Sequence, residues 1–341
     1  MSGELRTRVI TGLNELHAIA REWRELWASC PNATPFQRPE WLLRWTEIFS
    51  PEKLHVIEVR RAQELIALAP LLIYTRDSSR ILAFAGGGVS DYLDALVHPA
   101  FADEGLAAVF QAVEDLDNEW DIAEFTDLAS SSPLLRLPCT LVREVHDACP
   151  VLEIARGASE LSDFVPPRQL RNLRNARHRT GKLADVSIEK ADVANATSFL
   201  DALFRLHSAR WNSEGMPGVL CGANLRAFHS RVVQDLLPKN IVRLYGMRCS
   251  NRFIAVLYAI FERDIAYYYL QGFDPEFAWY SPGTQLITAV VEDAVKEGKQ
   301  QVNFLRGREK YKYAWGAEDS VTTRITYVGA AALRLSSNIA A

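Results

Sequence analysis

The chain has 341 residues, a length that suits two domains better than a single core. Hydrophobic residues make up 48% and charged residues 23%, the balance of an ordinary globular protein. The net charge of -4 argues against bulk electrostatic attraction to nucleic acid and leaves room only for a local basic patch. "MSGELRTRVITGLNEL" lacks the apolar core of a signal peptide, and no apolar run reaches the roughly 18 residues of a membrane span. Cys30, Cys139, Cys149, Cys221 and Cys249 are odd in number and scattered, so neither a disulfide framework nor a zinc site is expected. A cytoplasmic protein without a metal is the expectation.

In chain order, residues 11–29 read as a helix, with Leu13, Leu16, Ile19, Ala20, Trp23 and Trp27 at helical spacing. "PEWLLRWTEIF" starts a second helix at Pro39, a favoured first-turn residue. "LHVIEVRR" and "ELIALAPLLIYTR" are strand-like, and "RILAFAGGGVSDYLDALV" reads as two strands around a glycine loop. "DEGLAAVFQAVEDL" is helical, "DIAEFTDL" a strand, and "VLEI" suits a strand closing the first half. The second half repeats this order: "IVRLYGM" and "RFIAVLYAIFER", then "IAYYYLQGF", the helix "PGTQLITAVVEDAVKEG" and the strand "QVNFLRG". Placing Ile66-Ala67 on Ile254-Ala255 aligns Val56 with Leu244, and each half ends in a Val-Glu-Asp helix followed by a strand with a Phe, Phe125 or Phe304. The expectation is α/β (α+β), two copies of one unit, each a mixed, mostly antiparallel sheet flanked by helices. The units are placed at 1–155 and 156–330, with a tail at 331–341.

Five stretches carry candidate chemistry. In "YSPGTQ", Ser281 suits an N-cap, Pro282 the first helical position, and Gly283 a close approach to the backbone. The amides of Gly283, Thr284 and Gln285 then form either a tidy helix start or an anion site. In "NFLRGREKYKYAWG" charged and phenolic groups gather where a strand ends, a usual place for ligands. It is either a solvated loop or a site with Glu309 to take a proton, a Tyr to give one and Lys or Arg to hold an anion. "RQLRNLRNARHRTGK" holds Arg168, Arg171, Arg174, Arg177, Arg179 and Lys182 without an acidic residue. This helix presents either a solvated face or a grip on phosphates. "GGGVSDYLD", with Asp91, Tyr92 and Asp94, suits a hairpin turn or a cleft wall. His207, Arg210 and Trp211 share one helix face, as a core cluster or a ligand clamp.

Taken together, "YYYLQGFDPEFAWYSPG", the helix after it and "NFLRGREKYKYAWGA" resemble the acetyltransferase domain of the CelD-like, FemAB-related branch of the GNAT superfamily. "PFQRPEWLLRW", "GGGVSDYLDALV" and "LRNLRNARHR" resemble it too, in the same order, so the likeness covers about residues 35–325. It implies two tandem GNAT-like units, the second carrying the acyl-donor site and the first lacking one. Acyl-CoA, most simply acetyl-CoA, would enter between splayed strands. Tyr269, Leu270, Gln271, Tyr280, Ser281, Gly283, Thr284, Gln285 and Arg306 would contact it. Glu309 would act as base or position the amine, and Tyr311 or Tyr313 would protonate the thiolate. Asp91, Tyr92, Arg171, Arg174, His207, Arg210, Trp211 and Lys312 would face the acceptor, a small amine such as an amino sugar or polysaccharide precursor. The chain departs from the family pattern at Tyr280 and Gln285 in the helix-start loop, and at Asn303 and Arg308, where relatives often carry Asp. The FemAB side takes aminoacyl groups from tRNA, so tRNA is the alternative donor, and a non-catalytic subunit of a polysaccharide-synthesis complex is a third reading. A monomer with an internal pseudo-dimer, or a homodimer, is expected.

Overall fold

The structure is a computed structural model, and it describes residues 4–137, 142–213 and 222–328, with side chains to residue 209 in the second of these stretches. Its elements in chain order are β1 (Leu5–Ile10), α1 (Leu13–Ala18), α2 (Ala20–Ser29), α3 (Pro39–Phe49), β2 (Lys53–Arg61), β3 (Glu64–Arg76), β4 (Ser79–Phe84), β5 (Leu96–Val97), α4 (Ala102–Asp115), β6 (Ile122–Leu128) and β7 (Val142–Glu153). They continue as α5 (Pro167–Thr180), β8 (Val186–Lys190), α6 (Ala196–Ser213), α7 (Ala223–Leu236), β9 (Val242–Cys249), β10 (Arg252–Glu262), β11 (Ile265–Phe273), α8 (Pro282–Lys296), β12 (Gln301–Asn303), α9 (Lys310–Ala314) and β13 (Glu318–Val328). The apolar stretch at 11–29 is two helices rather than one, because the backbone leaves helical geometry at Ile19.

The chain divides into two compact units, Met1–Asp147 with Val321–Ala341, and Ala148–Ser320. In the first, β1, β2, β3 and β4 pair antiparallel in sequence, and β4 then pairs parallel with β6 through Ile81–Ile122 and Leu82–Ala123. β13 completes this sheet, antiparallel to β6. The parallel pair requires a crossover, which α4 supplies. Its Leu106, Val109, Ala112 and Val113 pack on Ile57, Ile66, Leu82 and Phe125 in one core.

The second unit has the same plan. β8, β9, β10 and β11 pair antiparallel, β11 pairs parallel with β12, and β7 closes the sheet antiparallel to β12. Val151–Glu153, which the sequence suggests for closing the first half, are the residues of β7 that pair with β12. Here α8 is the crossover, burying Leu286, Ile287, Val290, Val291 and Ala294 against Ile254, Leu257 and Ala266. On the other side α6 lies close on β11 at Gly272, where an added Cβ would come within 2.5 Å of the His207 backbone nitrogen. Both units are therefore mixed sheets flanked by helices, with the parallel pair and its crossover helix repeated.

Candidate functional site

The site is built where β11 and β12 part. Their pairing ends at Tyr267–Asn303, while β11 runs on to Phe273. Beyond Tyr267 the edge of β11 has no neighbouring strand on this side among the described residues. A register shift at Tyr258/Ala259 leaves Tyr269 opposite no partner residue in β10. Such a bulge inserts one residue and changes which side chains share a face. Tyr268 and Gln271, three apart, consequently meet: the Tyr268 hydroxyl donates to Gln271 Oε1 at 2.6 Å. Gln271 is buried, and its Nε2 has no partner among the described residues. That amide lies against the mouth of α8, since a Cβ added at Gly283 would meet it at 2.4 Å. Gln271, Phe273, Ala278, Ser281, Pro282, Gly283, Thr284, Ile287 and Tyr311 line a cavity of about 220 Å³ there.

The helix mouth is anion-ready. Ser281 turns the chain into α8 in a left-handed conformation, with φ 51°, and its side chain does not cap the helix. The first turn of α8 holds no acidic residue, so the exposed N–H groups keep their partial positive charge. The amides available are those of Gly283 and Thr284. Gln285 is a correction to the sequence reading: its N–H makes the first helical bond, to Ser281 O at 3.3 Å. Its side chain turns inward, where Nε2 donates to Thr180 Oγ1 at 2.7 Å and Tyr280 O at 3.0 Å, tying α5 to the loop. The corresponding helix of the first unit, α4, carries Asp103 and Glu104 in its first turn. These carboxylates occupy the positive end themselves.

The other expected residues separate into groups. Tyr311 reaches the cavity, with its ring 6.1 Å from that of Tyr268. Tyr313 is not among the lining residues; its hydroxyl donates to Asp319 at 2.6 Å, and that bond to a carboxylate raises its pKa. Lys312, read as an acceptor contact, is instead buried in the loop after β12. Its Nζ donates to the carbonyls of Leu305 at 3.1 Å, Arg306 at 2.5 Å and Gly307 at 3.1 Å, and pairs with Glu309 Oε2 at 2.9 Å. Glu309 itself is exposed and stands over Gly307, whose φ of 106° only glycine tolerates readily. Asn303 accepts from the Leu305 amide at 2.8 Å. Tyr280 and Leu270 are half-buried outside the cavity lining, and Tyr269 packs its ring on His229 and Tyr258.

Arg171 and Arg174 line a different groove, about 670 Å³, with Leu173, Arg177, Glu292 and Lys296. α5 runs antiparallel to α8, with Thr180 beside Gln285 and Arg177 beside Glu292, so this groove lies toward the far end of α8 from the cavity. Asp91 and Tyr92 belong to the first unit, where Tyr92 is buried with its ring 6.4 Å from Phe36. His207 is buried in α6, and the side chains of Arg210 and Trp211 lie outside the described residues. Two residues near the mouth are not among those expected to contact the donor. Arg179 donates to Ser281 Oγ at 3.2 Å, and its guanidinium lies 4.8 Å from the centre of the Trp279 ring. Both letters stand in the stretches singled out above, but only the packing of α5 on the loop brings them together. Among the described residues no cluster of three or more His, Cys, Asp or Glu could hold a metal, and no helix is long and apolar enough to cross a membrane.

Residues 167–313 match the family model described as Acetyltransferase (GNAT) domain. Among solved structures, the chain is similar to FemX, with a TM-score of 0.63 and 12% identity over 95% of this chain and 97% of that one. It is also similar to the C-terminal domain of a putative lysylphosphatidylglycerol synthetase from Agrobacterium fabrum, with a TM-score of 0.60 and 12% identity over 94% and 95% of the two chains. A tandem GNAT protein from the clavulanic acid biosynthesis pathway gives a TM-score of 0.50 and 15% identity over 96% and 99%. No curated protein sequence matches. The match to a GNAT acetyltransferase domain thus lies in the second unit, and the chain as a whole shares its fold with a tandem GNAT protein.

Proposed function

We propose that the second unit transfers an acyl group, most simply acetyl, from acyl-CoA to an amine. The observation that carries this is the cavity at the open end of β11, lined by the start of α8, with the Gln271 amide that has no partner among the described residues. The residues present fit the donor. The amides of Gly283 and Thr284 receive its diphosphate at the positive end of α8. The open edge of β11 offers backbone groups to the pantetheine arm. Arg306, beside the Lys312-tied loop, lies past the end of β12. The first unit is assigned no donor site, because Asp103 and Glu104 occupy its helix mouth.

In the reaction the neutral amine attacks the thioester carbonyl carbon. A C–N bond forms, the C–S bond breaks, and the amine loses one proton while the CoA thiolate gains one. Tyr311, lining the cavity, is the assigned proton donor to the thiolate. Glu309, half-exposed at its carboxylate, is the assigned proton acceptor or amine-positioning group, with Lys312 fixing its loop. The resemblance to CelD-like proteins directs the choice of acceptor toward amino sugars of polysaccharide precursors, and an acyl-CoA donor suits a cytoplasmic location. The test is calorimetric titration with acetyl-CoA of the wild type and of Gly283→Asp. Binding by the wild type and loss in the variant support the reading. No binding by the wild type at millimolar acetyl-CoA refutes it.

A second reading, an aminoacyl-tRNA donor, is favoured by the basic groove. Arg171, Arg174, Arg177 and Lys296 line it beside Glu160 and Glu292, and Arg177 pairs with Glu292 at 2.9 Å. It requires tRNA binding that weakens steeply with salt and disappears when Arg171, Arg174 and Arg177 are all replaced by Ala.

A further inference from the structure

We infer that Arg179 and Trp279 complete the donor site as a clamp on the nucleotide end of CoA, Arg179 pairing with the diphosphate and Trp279 stacking on the adenine. This rests on the acyl-CoA reading above.

Arg179 places a full positive charge next to the positive end of a helix. Its guanidinium donates to Ser281 Oγ at 3.2 Å, and Ser281 is the N-cap of α8. Two like charges so close repel unless an anion joins them. No acidic residue stands in the first turn of α8 to do so. Among the described residues the partners of Arg179 are that hydroxyl and the Trp279 ring, and none is a carboxylate. Its Nε is buried and unpartnered, a donor kept from water without an acceptor. By contrast Arg177, two residues earlier on the same helix, is satisfied by Glu292. Gln271 Nε2, buried and unpartnered against Gly283, is a second such donor at this mouth. Together they point to an anionic ligand with several acceptor oxygens.

Trp279 adds the second half of the chemistry. Its side chain is 72% exposed, although indole is costly to leave in water. It sits in the short 3-10 helix Pro275–Tyr280, held at its start by Asp274, which accepts from the Glu276 amide at 3.1 Å and pairs with Arg252. Ala278 before it and Ser281 two residues after it line the cavity, while Trp279 itself lies outside the lining. The Arg179 guanidinium lies 4.8 Å from the centre of its ring, within cation–π range. A phosphate alone would have no use for an exposed indole. A diphosphate joined to a flat heteroaromatic base uses both residues.

The experiment is calorimetry with CoA, ADP and acetyl-pantetheine on the wild type, Arg179→Gln, Arg179→Lys and Trp279→Ala. ADP carries the diphosphate and base without the pantetheine arm, and acetyl-pantetheine carries the arm alone. Expected is a CoA affinity about tenfold to a hundredfold lower in Arg179→Gln, partly recovered in Arg179→Lys. Trp279→Ala lowers it about fivefold to fiftyfold. The same losses appear with ADP, none appears with acetyl-pantetheine, and the melting temperatures without ligand stay equal. Wild-type CoA affinity in both Arg179→Gln and Trp279→Ala overturns the clamp and leaves the acyl-CoA reading standing. Equal loss of acetyl-pantetheine also overturns the clamp, because the residues then shape the cavity and not the nucleotide end. Failure of the wild type to bind CoA removes the acyl-CoA reading and the clamp with it.

Discussion

Replacing Gly283 by Ala tests the helix mouth with a single methyl group. The added Cβ would lie 2.4 Å from Gln271 Nε2 and 3.2 Å from its Cδ, so the amide must move. The tip of a glutamine is flexible, but this one is held: Gln271 Oε1 accepts from the Tyr268 hydroxyl at 2.6 Å. Turning the amide away breaks that bond and drives the amide into its packed surroundings, a loss of about 1–3 kcal/mol. Against this stands the better helix propensity of Ala, at most about 1 kcal/mol. The net expectation is a destabilisation of about 1 kcal/mol, which for a unit of this size lowers the melting temperature by about 2–4 °C. Acetyl-CoA affinity falls in the same variant, because the displaced side chain enters the donor cavity. The assay is a thermal melt with and without acetyl-CoA, run beside Gln271→Ala and the double variant. Removing Gln271 first should make Gly283→Ala harmless to stability, an interaction that the double-mutant cycle reads directly. An unchanged melting temperature with unchanged affinity in Gly283→Ala would refute the reasoning. So would additive effects in the double variant.

Other sites give independent tests. Lys312→Met leaves three loop carbonyls and Glu309 without their shared cation. The urea midpoint should then drop by the equivalent of about 3 kcal/mol, far more than for Glu309→Gln, and equal midpoints would contradict the loop-tying role. Gly272→Ala drives a Cβ to within 2.5 Å of the His207 nitrogen and 2.9 Å of the Leu206 carbonyl carbon, atoms of the α6 backbone that cannot step aside alone. It should cost about 1–3 kcal/mol by denaturation, whereas Gly87→Ala, with nothing within 4 Å, serves as a neutral control. His229 is buried, and burial pushes its pKa down to about 3. Below about pH 6.5 the unfolded chain takes up a proton that the folded chain refuses. Stability should therefore fall as pH falls through that window, by up to about 1.4 kcal/mol per pH unit, and the fall should be shallower in His229→Gln. A pH profile identical in the two proteins would remove His229 from the account.

The repeated plan was legible because strands and crossover helices write periodic patterns into the letters. Leu286, Val290 and Ala294 mark the buried side of α8 as plainly as Leu106, Val109 and Val113 mark that of α4. The helix start at Pro282 and the glycine after it were legible from their own preferences. What could not be read was anything fixed by a partner far away in the chain. The bulge at Tyr269 brings Tyr268 and Gln271 onto one face against the alternation of the strand, and no letter announces it. Lys312 has the look of an exposed charge, yet a turn of the chain at Leu305 and Gly307 aims three carbonyls at it. Arg179 is one basic residue in a run of several; its packing against Ser281 and Trp279 distinguishes it from Arg171 and Arg174, which line the other groove.

The two closing strands have a consequence for how the chain comes to be folded. The sheet of the first unit ends in β13, whose paired residues lie at 323–328, and that of the second in β7, which directly follows the first unit in the chain. A ribosome making this protein releases almost the whole second unit before the last strand of the first exists. Until then β6 has an open edge, ready to pair with the wrong strand. The unit that begins first must finish last, and no single cut between the halves yields two complete pieces. Any attempt to express either half alone should carry the strand that lies beyond the cut.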